Sequence, residues 1–166
     1  ERLGDLYLSK ENYKKAALKY EKTLAVNKDN MKIFVRTIWI NIEKLDDTNK
    51  AKNLAKIALE AHPEDSMSYN LMGWALVAND ELDESKQYLA KALELNPAFD
   101  AAYLNLGWLY EKQGSIALAK EYYKKAYSLG NGNAVANLAV QRFNHVKEME
   151  LQNQYIQVDI SAPTYN

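Results

Sequence analysis

The chain has 166 residues, of which 26% are charged, and its 21 basic and 22 acidic side chains leave a formal net charge of −1. This length suits one domain or a short array of small units, and the balanced charge argues against nucleic acid or an anionic membrane as a partner. No apolar run approaches the roughly 20 residues that a membrane helix needs. The chain has no cysteine, which excludes disulfides and thiolate metal sites.

Along the chain, one two-helix pattern recurs four times. In each copy apolar residues recur at intervals of three and four, and a polar stretch such as "AND" or "KQG" separates two helical segments. We assign the copies to residues 1–30, 31–65, 66–99 and 100–133. Repetition at a fixed period of about 20 to 50 residues indicates a stacked array, so the pattern predicts an all-α solenoid.

The first copy carries small and aromatic residues that recur later, namely Leu3, Gly4, Tyr7, Ala16 and Tyr20. The second copy is degenerate, because Thr37 and Ile38 stand where the first copy has Leu-Gly. Its Trp39 keeps the common spacing, but the rest of the copy aligns only if one residue is inserted. We place that residue in the polar stretch "EKLDDTNK", where a longer turn is tolerated.

The third and fourth copies align without a gap and share Gly73 with Gly107 and Trp74 with Trp108. A glycine in the middle of a helix costs about 1 kcal/mol relative to alanine. A cost that recurs at one position implies a recurring gain, and we expect a neighbouring helix to approach closely at both glycines. Each helix pair then buries its apolar face only by stacking on the next pair.

The chain after the fourth copy falls into two parts. Residues 134–151 have an apolar stripe at helical spacing and are typical of the capping helix that ends such arrays. Residues 152–166 alternate polar and apolar side chains in "YIQVDI", which is a strand-like period. Since an all-helical protein offers no partner strand, we interpret this segment as an extended tail.

The pattern resembles the tetratricopeptide repeat family. The fourth copy carries the family's aromatic, Leu-Gly, Tyr, Ala and aromatic positions as Tyr103, Leu106, Gly107, Tyr110, Ala119 and Tyr123. The resemblance covers about residues 1–133 and is weakest in the second copy. It implies a right-handed superhelical solenoid of about four helix-turn-helix repeats plus the C-terminal capping helix.

The resemblance also implies where a partner binds, because the first helices of successive repeats line the concave side of the family's superhelix. The residues that would face this groove are Arg36, Trp39, Met67, Asn70, Leu71, Trp74, Leu104, Asn105, Trp108 and Arg142. Tryptophan and arginine are the types that most often dominate binding energy, and amides can bond a peptide backbone.

Plainer interpretations stay open for the same residues. The tryptophans can serve as spacers that pack between adjacent first helices, with or without a ligand contact. Asn70 and Asn105 can be solvated surface, and Arg36 and Arg142 can form ordinary ion pairs. The Lys and Asn positions with which some tetratricopeptide domains hold a C-terminal carboxylate are not matched here, so we do not expect that mode of binding.

The sequence predicts no catalytic residues, no metal site and no cofactor. Its only histidines, His62 and His145, lack the spacing of a metal site, and the chain has no glycine-rich phosphate loop or Gly-x-Ser-x-Gly elbow. Histidine on the surface or near a helix end is the simpler interpretation of both.

The function predicted from these features is a non-catalytic protein–protein interaction module or scaffold that binds a peptide or a partner protein in the groove. We expect neither nucleic acid binding nor membrane insertion. One alternative is an assembly protein that self-associates as a homo-oligomer through residues 152–166. Another is the interaction domain of a larger protein with a separate catalytic region, since fold alone does not choose among functions.

Overall fold

In the computed structural model, secondary structure is described for residues 1–161 and side chains for residues 1–152. Every regular element of this described part is an α-helix. The helices are α1 (Arg2–Ser9), α2 (Tyr13–Leu24), α3 (Met31–Glu43), α4 (Thr48–Ala61), α5 (Ser66–Ala78), α6 (Leu82–Leu95), α7 (Asp100–Lys112), α8 (Ile116–Gly130) and α9 (Ala134–Ser161). None of them is long and apolar enough to cross a membrane.

The helices form two compact units, residues 1–97 and 98–166. In the first unit the helices of the pairs α1–α2, α3–α4 and α5–α6 pack together, and α3 and α5 also pack on the second helix of the preceding pair. In the second unit α7 packs on α8, and α9 packs on both. The first unit is thus built from three stacked helix pairs and the second from one pair and a further helix, and the predicted all-α solenoid is confirmed.

Helix starts and intervening turns follow from local sequence. The side chains of Asn12, Asn30, Asp47 and Asp65 accept hydrogen bonds from free backbone N–H groups at the starts of α2 to α5. Within every pair, the turn contains one residue with positive φ. These residues are Glu11, Asp46, Asp80 and Gly114, with φ of 53°, 53°, 61° and 73°. The same left-handed step therefore reverses the chain in all four pairs.

The helical glycines mark close contacts, as the sequence predicts. A Cβ added to Gly107 would lie 2.4 Å from two ring atoms of Tyr123, and one added to Gly73 would lie 2.6 Å from Leu89. Gly4 has the same relation to Tyr20, at 2.5 Å. A large side chain of the second helix thus fills the space that glycine leaves on the first.

The degenerate second pair reverses these sizes. At the position of Gly107 it has Ile38, and at the position of Tyr123 it has Ala55. Both side chains are fully buried in the core of the first unit. A large residue on the first helix and a small one on the second preserve the packing volume, which close-packed interiors require.

The prediction of an extended tail from residue 152 is wrong for its first part. Helix α9 does not end at 151 but continues to Ser161. The segment 152–161 contains neither glycine nor proline, and a helix that is already formed extends at the gain of one hydrogen bond per residue. Alternation over a few residues without a partner strand is the weaker signal. Residues 162–166 lie outside the described residues.

Candidate partner-binding face

The predicted site residues lie on first helices of the repeats and on the capping helix α9, in both units. Arg36, Trp39, Met67, Asn70, Leu71 and Trp74 belong to α3 and α5 of the first unit, and Leu104, Asn105, Trp108 and Arg142 belong to α7 and α9 of the second. We call these ten side chains the first-helix set. Within the first unit α3 packs on α5, and within the second unit α7 packs on the capping helix α9, so the members of the set lie on neighbouring helices in each unit.

Trp39 is half-buried and has defined neighbours. Its ring meets that of Tyr13 edge-to-face, with centroids 6.3 Å apart and planes at 74°. The Lys44 ammonium lies 5.3 Å from the Trp39 centroid and 5.4 Å from that of Tyr13. Since Tyr13 is on α2, Trp39 packs against the preceding pair, as a spacer would, and both contacts fix the orientation of its ring.

Trp74 and Met67 are also half-buried and pack against the buried cluster of the first unit. Part of each side chain is therefore packed in the core, and the rest is accessible to solvent. That combination is compatible with both interpretations drawn from the sequence, the spacer and the ligand contact.

Three members of the first-helix set are not on the surface. Leu71 is 1% exposed, Asn70 is 3% exposed and Asn105 is 6% exposed. The interpretation of the asparagines as solvated surface is wrong, and none of the three is accessible to a partner in this conformation. Helical periodicity places a residue on a face, but it does not tell how far neighbouring helices cover that face.

Trp108 is half-buried in the second unit and is flanked by two cations. The Lys112 ammonium lies 5.4 Å from its ring centroid, and the guanidinium carbon of Arg142 lies 5.5 Å from it. Lys112 follows Trp108 by one turn on α7, whereas Arg142 reaches across from α9. Leu104, one turn before Trp108, packs against the core of this unit.

Both arginines of the set form ion pairs, as the plainer interpretation predicts. Arg36 pairs with Asp5 of α1, and the Tyr20 hydroxyl of α2 donates a hydrogen bond to the same carboxylate at 2.6 Å. Burial, and then Asp5, raise the pKa of Tyr20 to about 12. Asp5 thereby links three consecutive helices.

The second unit repeats this arrangement with different residues. Arg142 of α9 pairs with Glu111 of α7 at 3.5 Å, and the Tyr123 hydroxyl of α8 donates to Glu111. Burial, and then Glu111, raise the pKa of Tyr123 well above its ordinary value. A buried tyrosine, a carboxylate and an arginine thus join each of these helix pairs to the next first helix.

The partners of these residues are not evident from the sequence. Asp5 and Glu111 occupy different positions of their repeats, so alignment of the copies does not reveal their common role. Lys112 follows Trp108 by one helical turn. Because side chains at this spacing contact each other on a helix, the sequence does indicate this one contact. Lys44 lies at the end of α3, just beyond the turn that follows Trp39.

Neither histidine belongs to the first-helix set. The His62 ring donates from Nε2 to the Lys28 carbonyl oxygen at 2.7 Å, joining two inter-repeat loops, and His145 is exposed on α9. Among the side chains that the structure describes, no group of three or more His, Asp or Glu residues is placed to hold a metal ion.

Comparison with known proteins agrees with the architecture. Residues 70–134 match the family model of the tetratricopeptide repeat, while a search of the curated proteins gave no significant match. A crystal structure of MamA is 23% identical and covers 92% of this chain and 97% of its own, with a TM-score of 0.59.

Two further solved structures have the same fold. TTC0263, a thermophilic tetratricopeptide repeat protein of Thermus thermophilus, is 19% identical, covers 96% of both chains and has a TM-score of 0.63. YrrB, described as a tetratricopeptide repeat protein with an unusual peptide-binding site, is 26% identical, covers 83% of this chain and 71% of its own, and has a TM-score of 0.59. The repeated helix pairs, the match of residues 70–134 to the family model and these likenesses show that the chain has the fold of tetratricopeptide repeat proteins.

Proposed function

We propose that the protein is a non-catalytic interaction module that binds a peptide or a partner protein through the exposed parts of its first-helix set. The observation that carries the proposal is the state of Trp39, Trp74 and Trp108. Each is half-buried at the same position of its repeat. Neighbouring side chains therefore cover part of each tryptophan, and the remainder is accessible to solvent.

The surroundings of the rings support this role. Trp39 is oriented by Tyr13 and Lys44, and Trp108 by Lys112 and Arg142. A side chain that is already fixed loses little conformational entropy on binding, so a larger share of its contact energy stabilises the complex. Large apolar area beside donors of hydrogen bonds is also the composition of binding hot spots.

The comparisons support the coarser part of the proposal. Tetratricopeptide repeat proteins are generally interaction modules rather than enzymes, and YrrB is described as having a peptide-binding site. Because the identity to YrrB is 26%, its mode of binding does not carry over to named residues, and the tryptophans must be tested directly.

The test begins with the intact protein and a bead-bound library of random short peptides, from which binders are selected and titrated by tryptophan fluorescence. Trp74→Ala and Trp108→Ala should each weaken binding by about thirtyfold or more, the loss expected for a hot spot. Tyr127→Ala is the matched control, since Tyr127 is 55% exposed but lies on the second helix α8, and it should bind like the wild type.

Unfolding must be separated from loss of contact. Circular dichroism melts are therefore recorded for every variant, and Trp74→Phe and Trp108→Phe provide versions that keep most of the packing. If both alanine variants remain folded and bind as tightly as the Tyr127→Ala control, the tryptophans do not contact the peptide and the proposal fails.

A further inference from the structure

Tyr13 and Trp39 form a corner of two aromatic faces that holds a cation of the chain itself. Their ring centroids lie 6.3 Å apart, and the ring planes meet at 74°. The Lys44 ammonium lies over both rings, 5.4 Å from the centroid of Tyr13 and 5.3 Å from that of Trp39. One nitrogen is thus nearly equidistant from two almost perpendicular faces. We call Tyr13 and Trp39 the aromatic corner.

The aromatic corner attracts positive charge and is open to solvent. The face of an aromatic ring is the negative part of its quadrupole, so two faces turned toward one point attract a cation from two sides. Both rings are half-buried, and Lys44 is exposed. Among the side chains that the structure describes, no carboxylate forms an ion pair with Lys44, and its ammonium is held by the rings. Because an exposed contact of this kind is weak, another cation can take its place.

The aromatic corner is specific to the junction between the first and second helix pairs. At the position of Tyr13, the later second helices begin with Thr48, Leu82 and Ile116. At the position of Lys44, the residues that end α5 and α7 are Asn79 and Gln113. The tryptophan recurs in the later pairs, but the second aromatic wall and the lysine do not. Two departures from the repeat that meet at one point indicate a role beyond the common packing of the array.

From this arrangement we infer that the aromatic corner binds an arginine side chain of a partner peptide, which displaces the Lys44 ammonium. In the free protein Lys44 occupies the position of the ligand's cation and competes with it. Guanidinium is planar, stacks on aromatic faces and is more weakly hydrated than ammonium, so it gains more from the two rings than the lysine does. The inference rests on the proposed function and names the ligand chemistry at Trp39.

Lys44 has the advantage of being tethered, so the arginine that displaces it must be tethered too. A peptide that is already bound at Trp74 presents its arginine at a high local concentration. Trp74 lies on α5, which packs on α3 in the first unit. Axes of packed helices lie about 8–10 Å apart, and an extended peptide covers about 3.3 Å per residue. A few residues of peptide therefore reach from one tryptophan to the other.

The experiment uses the intact protein as bait for a random library of short peptides with acetylated N-termini and amidated C-termini, so that positive charge comes from side chains alone. The bound pool should be enriched in arginine relative to the input. A selected peptide is then titrated beside versions in which lysine or citrulline replaces the arginine. Citrulline keeps the shape of arginine without its charge and should weaken binding about two- to fivefold, with lysine in between. A single blocked arginine should bind far more weakly than the peptide.

Variants of the corner locate the effect. Tyr13→Leu introduces the residue that α6 has at the same position and should weaken binding of the arginine peptide about two- to fivefold. Tyr13→Phe keeps the aromatic wall and should retain most of the affinity. Circular dichroism melts show whether each variant is folded.

Variants of Lys44 test the displacement. Lys44→Gln removes the competitor and should tighten binding of the arginine peptide, whereas Lys44→Arg introduces a stronger competitor and should weaken it. Damage to the fold would weaken binding in both. Lys14→Gln is the matched control, because it removes one exposed positive charge of α2 outside the corner, and it should leave the affinity unchanged.

The outcomes separate the two proposals. A bound pool without arginine enrichment, or equal binding of the arginine and citrulline peptides, overturns this inference and leaves the proposed function standing. Equal tightening by Lys44→Gln and Lys14→Gln overturns it as well, because net charge alone would then explain the gain. A blocked arginine that binds as tightly as the peptide overturns the assignment to a peptide side chain. If the library yields no binder at all, both proposals fail.

Discussion

The substitution Gly107→Ala tests the packing between first and second helices. On an isolated helix, alanine is more favourable than glycine by about 1 kcal/mol. Here the new Cβ would lie 2.4 Å from Cδ1 and Cε1 of Tyr123 and 3.0 Å from Cγ, whereas carbon atoms attract best at about 3.5–4.0 Å. The Tyr123 ring is fully buried and its hydroxyl is held by Glu111, so it has little room to yield.

The two effects oppose each other, and their sizes decide the sign. Overpacking of a tight core costs about 1–3 kcal/mol, and the fixed ring favours the upper end of that range. After subtraction of the gain in helix propensity, Gly107→Ala should lower the free energy of unfolding by about 1–2 kcal/mol.

The assay is equilibrium urea unfolding followed by circular dichroism and by tryptophan fluorescence, since repeat arrays can depart from two-state behaviour. Ser128→Ala, at an exposed position of α8, is the control and should be neutral or slightly stabilising. A Gly107→Ala protein as stable as the wild type, or more so, would refute the argument that Tyr123 requires glycine opposite it.

Three further predictions concern the size reversal in the second pair, the titration of Tyr20 and the backbone of Glu11. Combining Gly107→Ile with Tyr123→Ala reproduces the side-chain sizes of Ile38 and Ala55 in the second pair. The double variant should therefore unfold at a higher urea concentration than Gly107→Ile alone. A lower urea midpoint would contradict the compensation of volume between these two positions. The pKa of Tyr20 is raised from 10.0 to about 12 in the folded protein. The protonated hydroxyl therefore stabilises the fold fully below pH 10, and this stabilisation is lost as the pH rises toward 12. Tyr20→Phe lacks the hydroxyl and should lose less stability than the wild type over this interval, as measured by urea midpoints at each pH. Glu11 has φ of 53°, and Glu11→Gly should stabilise by up to about 1 kcal/mol because glycine tolerates this conformation; a lower melting temperature would contradict this.

The repeat period allowed much of the fold to be predicted. Apolar spacing and polar breaks indicate where helices pair, and recurring glycines indicate where they touch. The sequence predicts that Gly73 and Gly107 each face a neighbouring helix. In the structure Leu89 of α6 lies against Gly73, and Tyr123 of α8 lies against Gly107. Such local rules work because each repeat is one packing unit that contacts mainly its neighbours.

The second copy shows where the pattern becomes insufficient. Ile38 in place of glycine indicates a departure from the family, but its meaning depends on Ala55, which lies on another helix. Volume compensation between two distant positions is visible only when the structure shows that both are buried. An alignment of the copies compares one position at a time, so it does not show that a change at one position compensates for a change at another.

The candidate site shows a similar limit. The spacing of Trp39, Trp74 and Trp108 places them at equivalent positions of their first helices, and helical phase alone predicts that Asn70 and Leu71 lie on the same face as Trp74. The structure buries both. How much of a face remains accessible depends on the distance between neighbouring helices, and periodicity holds no information on that distance.

Binding through the first-helix set is tested most directly by hydrogen–deuterium exchange of the intact protein with and without a library-selected peptide. Such binding should slow exchange in first helices, above all in α5 around Trp74, and in α7 and the capping helix α9 around Trp108 and Arg142, with second helices such as α4 and α8 unchanged. Protection concentrated in the second helices, with the first helices exchanging as in the free protein, would contradict it.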